Sequence, residues 1–368
     1  MSFQMSLRAS AALLVLLVGS SCGFKHRKFE NPITAESDQP DKKLFDSAVK
    51  DIEKGRYEIA RNVLNVLLNT YESSEYAAKA KLAIADSWFR EGGIRGYAQA
   101  EAEYKDFQLF YPAMQESAEA QKRVCQMHYL QMEKADRDPA QALRAEQECR
   151  QMLTRYPNSV FIAETEQILR NVQEVIAEGE FRVGSFYRSR GNANAAANRL
   201  GGVADQYPLY SQADEALWLE GDSLRQLGPA QRAQESDSYV RIVRDYPLSK
   251  RVPEAKARLA EMEVRIPDPD PVALARMQAN IEGQDPPGMM GRTFGFMRRG
   301  PDTWTAAKNG APQMNAPKQN IPPLTPSPGA NAGFQGDVTV APATNSRALD
   351  QNPDARPANQ QPQPAPAK

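Results

Sequence analysis

A Tyr-Pro pair recurs four times along the chain, at Tyr111-Pro112, Tyr156-Pro157, Tyr207-Pro208 and Tyr246-Pro247. The intervals are 45, 51 and 39 residues, and Tyr71, followed by Glu72 in place of proline, stands 40 residues before Tyr111. Proline cannot continue a helix interior and pushes the residue before it out of the αR region, so each pair marks a helix end. Helical patterns lead into these ends. Ala60, Val63, Leu64, Leu67 and Leu68 run toward Tyr71, Ala196, Leu200, Val203 and Ala204 toward Tyr207, and Tyr239, Ile242 and Val243 toward Tyr246, all at 3.6-residue spacing. Upstream of each lies a second helical stretch that ends in a turn. The clearest copy spans residues 178–208: Val183-Gly184 and Tyr187 lie on the first helix, Gly191 makes the turn and Ala196 opens the second helix. Small side chains at Gly184 and Ala196 let the two axes approach closely.

This spacing resembles the tetratricopeptide repeat, a helix–turn–helix unit of ~34 residues. The first copy has Ala48, Gly55, Tyr57 and Ala60. The second has Ile84, Ala85, Trp88, Ala100, Tyr104 and Phe107, with a long turn over residues 92–96. The third has Val124, Cys125, Tyr129, Ala145 and Met152, with a long turn over residues 136–139. The fifth has Trp218, Gly221, Leu224, Gly228 and Tyr239. Residues 249–265 read as a capping helix. The expected fold is all-α: a tetratricopeptide-repeat superhelix of about five helix pairs with a C-terminal capping helix, over residues 44–266. No single pair buries its apolar face alone, so stacked neighbours must supply the core.

Composition separates the rest of the chain from this block. Of 27 prolines, 18 fall in residues 267–368. After a brief helix over residues 272–281, Pro, Ala, Asn, Gln and Gly dominate, and such a segment buries too little apolar surface to offset the entropy of ordering it. Residues 267–368 are therefore expected to be a long disordered tail: a solvated extension first of all, or else a spacer, a peptidoglycan-proximal arm, or a ligand for a partner around Phe294-Gly295-Phe296-Met297. At the other end, Arg8 precedes the apolar run Ala11-Ala12-Leu13-Leu14-Val15-Leu16-Leu17-Val18, then Gly19-Ser20-Ser21 and Cys22. The run is too short to span a bilayer and reads as a cleaved signal peptide over residues 1–21. Small residues directly before a cysteine resemble a bacterial lipobox, with Gly19 where that pattern usually has leucine. The resemblance implies that Cys22 becomes the mature N-terminus and carries covalent acyl (palmitate-type) and diacylglyceryl groups, with residues 22–43 as a polar membrane tether. Gly23, where an Asp would signal inner-membrane retention, favours the outer membrane.

Charge and residue type remove several function classes. With 45 basic and 46 acidic side chains the net charge is −1, so no bulk attraction to a phosphate backbone exists and no nucleic-acid partner is expected. The two histidines, His26 and His128, are too few for a His-rich metal site or a His-based triad. No Gly-rich phosphate loop is present. Neither an enzyme, a cofactor nor a metal site is expected.

Three stretches carry a closer resemblance: Asp136-Arg137-Asp138-Pro139, then Arg155-Tyr156-Pro157-Asn158-Ser159, and Glu180-Phe181 through Phe186-Tyr187 and Arg190-Gly191 to Asn198-Arg199-Leu200 and Tyr207-Pro208. Together with the lipobox and the Tyr-Pro repeats over residues 44–266, they resemble the BamD family, lipoprotein scaffolds of the outer-membrane β-barrel assembly machinery. The resemblance implies a lipid-anchored protein on the periplasmic face of the outer membrane. Its C-terminal repeats would dock the periplasmic domains of the barrel subunit BamA, and its N-terminal repeats would receive unfolded outer-membrane β-barrel proteins. It places Arg199, with Asn198, in the BamA-facing region. A guanidinium there can make bidentate contacts with a partner's carboxylate, or it can be a solvated helix-face arginine. Tyr57, Tyr76, Trp88, Phe89, Arg90 and Tyr97 are candidates for a substrate groove in the N-terminal repeats, in competition with core packing. Cys125 and Cys149 lie on facing helices of the third repeat, either as a disulfide or as two buried thiols. The alternative function is a periplasmic repeat scaffold coordinating cell-envelope processes of the Tol–Pal type. Such a scaffold would be expected to carry an N-terminal coiled coil, for which residues 23–43 are too short and too Pro-broken.

Overall fold

Five helices of the computed structural model end on tyrosine, each in the same backbone conformation. Tyr71, Tyr111, Tyr156, Tyr207 and Tyr246 have φ between −126° and −132° and ψ between 51° and 64°. Each donates its N–H to the carbonyl four residues back, at 2.8–3.1 Å, and accepts from the N–H three residues on. Four of these tyrosines precede a proline, which forbids αR at that position. Tyr71 reaches the same geometry with Glu72 behind it, so the turn is set by the repeat packing as well as by the proline.

The structure describes residues 39–283 and 300–315, and Cys22 with the signal peptide, most of the tether, Phe294–Met297 and residues 316–368 lie outside them. The described residues form twelve α-helices and no strand. They are α1 (Pro40–Glu53), α2 (Tyr57–Thr70), α3 (Ala77–Glu91), α4 (Gly93–Phe110), α5 (Glu116–Leu130), α6 (Ala140–Arg155), α7 (Ile162–Ser189), α8 (Ala193–Gln206), α9 (Ala213–Gln226), α10 (Arg232–Asp245), α11 (Val252–Glu261) and α12 (Pro271–Glu282). A short 3₁₀ turn, Pro229–Gln231, precedes α10. Each helix from α1 to α10 packs on the next, and α12 touches α10. The five pairs are therefore α1/α2, α3/α4, α5/α6, α7/α8 and α9/α10, with α11 as the cap, which is the expected all-α repeat order.

The core follows the expected stripes. Ala60, Leu64, Leu67, Ala100, Tyr104 and Leu200 are fully buried, and each buried leucine contributes roughly 1.5–3 kcal/mol. A Cβ added to Gly184 would lie 2.7 Å from Leu200 Cγ, so the absence of a side chain sets how closely α7 and α8 approach. Gly191 turns the chain between them at φ +74°. Hydrogen bonds tie one repeat to the next: Tyr246 Oη donates to Pro208 O (2.9 Å), Ser249 Oγ to Asp214 (2.5 Å), and Arg251 grips Glu215 with two bonds of 2.6 and 2.7 Å.

Four boundaries differ from expectation. α1 takes in Pro40, Asp41, Lys42 and Lys43, assigned above to the tether. Pro40 is suited to a first helical position, where its missing N–H has no partner to lose. The expected long turn at 92–96 is compressed, because α4 already begins at Gly93. Gly96 permits this, since a Cβ there would sit 2.9 Å from Trp88 O. α7 is 28 residues long and starts well before residue 178. Finally, the tail is not uniformly unpacked. α12 forms where a brief helix was expected, and residues 300–315 lie against the repeats, with Ala306 wholly and Ala307 almost wholly buried.

Candidate partner interface

The third repeat supplies a rigid centre. Cys125 on α5 and Cys149 on α6 form a disulfide with Cα atoms 4.9 Å apart, so the bonded alternative is the one observed. Beside it, Lys105 on α4 bonds Glu101 (2.6 Å) and Glu148 (2.9 Å), and His128 Nε2 lies 3.5 Å from Glu101. His128 thus has an acidic neighbour that the sequence did not reveal, contributed by another helix. Glu101, His128 and Glu148 could together offer ligand atoms to a metal, but the Lys105 ammonium already bridges both carboxylates. The cluster reads as an ionic clasp between α4, α5 and α6. Cys125, committed to the disulfide, offers no thiolate nucleophile to His128.

At the N-terminal end a groove of 740 Å³ opens between α2, α3 and α4. Of the six expected groove residues it brings together two, Tyr57 and Trp88. The Arg61 guanidinium lies 3.5 Å from the centre of the Trp88 ring and pairs with Glu91 at 2.7 Å. A cation–π contact of this kind is worth about 0.5–2 kcal/mol, and it engages the indole face that an incoming aromatic would need. Arg56, Glu58, Arg95 and Glu103 add charge to the lining, and Ile84 and exposed Ile59 add apolar surface beside Trp88. The other expected residues lie elsewhere. Tyr76 packs on Phe45, with ring centres 5.5 Å apart. Phe89 and Tyr97 pack together at 5.9 Å, with Arg123 over Phe89. Arg90 is exposed and outside the groove lining. Arg61 and Ile59 were missed because their roles depend on which face of α2 meets α3.

At the C-terminal repeats, adjacent residues on α8 point to different places, as successive helical positions must. Arg199 is exposed and pairs with Glu180 on α7 at 2.8 Å. Exposed Val183 and Phe186 follow Glu180 along the same helix, giving this face apolar side chains beside a charged pair. Phe186 was quoted in the family motif but not singled out as a contact residue. Asn198 instead lines an 890 Å³ groove between α8, α9 and α10. There Glu220 accepts from Ser238 Oγ (3.2 Å), Arg241 pairs with Asp205 (2.7 Å), and burial pushes the Glu220 carboxyl up to about 7.

A profile of the family described as "YfiO: Outer membrane lipoprotein" matches residues 37–240, more than half of the chain. The chain belongs to this outer-membrane lipoprotein family. The match runs from just before α1 into α10, through the first groove, most of the second and the Arg199 face. Among curated proteins the chain is similar to outer membrane protein assembly factor BamD of Rickettsia prowazekii, 25% identical over 241 residues that cover 66% of this chain and 92% of the relative. The protein of that name from Vibrio cholerae is 24% identical over 200 residues, 52% of this chain and 82% of the relative. That from Caulobacter vibrioides is 23% identical over 210 residues, 56% and 66% respectively. The resemblance read from the Tyr-Pro repeats and the third and fourth repeat motifs is thereby confirmed. No helix among the described residues is long and apolar enough to cross a membrane.

Proposed function

We propose that this protein is a non-catalytic outer-membrane lipoprotein that acts as an assembly factor for β-barrel proteins. Acyl groups on Cys22 hold it to the periplasmic face of the outer membrane. The α7/α8 face docks the periplasmic domains of BamA, and the groove between α2, α3 and α4 receives a segment of an unfolded barrel protein. The observation that carries the docking step is the exposed Arg199–Glu180 pair lying beside exposed Val183 and Phe186 on α7. An apolar anchor beside charged side chains that can exchange partners is how stable interfaces are built. The names of the relatives support the assembly role.

The test is co-purification of the full-length protein with BamA from detergent-extracted outer membranes. Recovery of both is expected, with the yield of BamA falling at least tenfold for Arg199→Glu combined with Phe186→Ala. Recovery with a Tol component and no BamA would overturn the reading. The anchor is tested by Cys22→Ala, which should leave the membrane fraction, since each buried methylene of an acyl chain contributes ~0.8 kcal/mol. Continued fractionation with lipid would refute acylation.

A further inference from the structure

Residues 305–313 are separated from α7 by well over a hundred residues of sequence, yet they meet it in a regular register. On α7, Gln167, Arg170 and Gln173 follow one another at three-residue intervals and so share a face. Gln167 Nε2 donates to Ala307 O (3.2 Å), Arg170 to Gly310 O (2.8 Å) and Gln173 Nε2 to Gln313 O (2.7 Å). The carbonyls that accept are themselves three residues apart. Gln173 Oε1 also accepts from Gln313 N (3.1 Å), so this amide reads both main-chain polar groups of one residue, and Arg150 on α6 adds a second bond to Gln313 O (3.0 Å). One side-chain contact joins these, from Thr305 Oγ1 to Glu174 (2.8 Å).

These polar groups are built in. Arg170, Gln173 and Glu174 are 8%, 5% and 5% exposed, and buried polar groups without partners cost about 1–3 kcal/mol each. Within the repeats Gln173 also donates to Glu146, Glu174 accepts from Ser211 and Arg170 pairs with Glu166; the segment adds further partners, almost entirely through its main chain, and contributes small side chains where it is most buried. Ala306 is 0% exposed. Gly310 takes φ +107°, and a Cβ on it would come within 3.0 Å of Leu209 and 3.1 Å of Arg276. Selection at this site is therefore for accessible carbonyls, small residues and a glycine bend.

We propose that the face formed by α6, α7 and the turn after α8 is a main-chain-reading site for a non-helical, small-residue segment of an unfolded polypeptide, and that residues 305–313 occupy it as a resident stand-in which the incoming segment displaces. The identity of that polypeptide as a client rests on the assembly role proposed above. The site itself differs from both the α2–α4 groove and the Arg199 face.

The test uses a fluorescent synthetic peptide of residues 303–315, measured by anisotropy against the full-length protein, a variant deleted for 300–315, and Gly310→Val. A tethered segment competes at an effective concentration in the millimolar range. The deletion and Gly310→Val should therefore bind the peptide at least about tenfold more tightly than the unaltered chain. Gln173→Ala in the deletion background should remove the gain, as should the Gly310→Val change placed in the peptide. A scrambled peptide that keeps Ala306, Ala307 and Gly310 in place should compete within about threefold, because carbonyls are read more than the remaining side chains. Equal, weak binding by all three proteins would mean the segment is a fixed part of the fold and would overturn the proposal. Failure of the scrambled peptide to compete would restrict the site to this chain's own tail and would overturn the client step. Because the readout involves neither BamA nor a membrane, it can fail while the co-purification succeeds, and the reverse.

Discussion

Replacing Glu220 by glutamine should make the fold more stable at alkaline pH and flatten its pH dependence. Glu220 projects from α9 toward α8, into the space left by Gly201, where a Cβ would lie 2.2 Å from Glu220 Oε1. Burial pushes the carboxyl up from 4.5 to about 7, against the opposing influence of Arg241 and the Ser238 hydrogen bond. In the unfolded chain the group titrates near its ordinary value. Between these two values the folded chain holds a proton that the unfolded chain has released. Stability contributed by this group is therefore fully present below about pH 4.5 and declines as pH rises toward about 7, with no further change above. The displacement corresponds to about 3 kcal/mol when fully expressed. Glu220→Gln keeps the shape and the Ser238 partner but cannot ionise, so it should gain up to about 3 kcal/mol at pH 8 and almost nothing at pH 4.5. Urea unfolding followed by far-ultraviolet circular dichroism across that range gives both curves. Parallel profiles for the two proteins, or a variant less stable at pH 8, would refute the argument.

Replacing Cys125 and Cys149 together by serine should lower stability by about 3 kcal/mol, from a bridge across 24 residues of sequence. Reductant should then lower the melting temperature of the unaltered protein but not of the variant. Tyr104→Phe removes the 2.5 Å hydrogen bond to Asp86, a carboxyl that burial already holds above its usual range. A loss of about 1–3 kcal/mol is expected, read by thermal unfolding, with Asp86→Asn in the same background restoring part of it.

The helix order was legible because its punctuation is local. Tyr-Pro ends a helix wherever it falls, and Gly184 and Ala196 declared a close helix pair through their size alone. The length of α7 was not legible, because residues 162–177 carry many polar side chains, among them Gln173 and Glu174, whose burial depends on a segment 131–140 residues away. For the same reason the composition of residues 300–315 suggested an unpacked tail. A segment that docks through its carbonyls leaves no hydrophobic periodicity to read. Of the residues expected in an N-terminal groove, Tyr57 and Trp88 line one groove, and Arg61, whose guanidinium engages the indole, was not among them. Arg199 and Asn198, neighbours in sequence, serve different surfaces because a helix turns by about 100° per residue.

The central claim is that the α7/α8 face holds a partner of the barrel-assembly machinery. A photo-reactive phenylalanine analogue at position 186, activated in intact cells, tests it directly. The account predicts a single major adduct containing BamA, lost when Arg199→Glu is added and absent when the analogue is placed at Ile59 on α2. An adduct with other envelope proteins but not BamA, or one unchanged by Arg199→Glu, would contradict it.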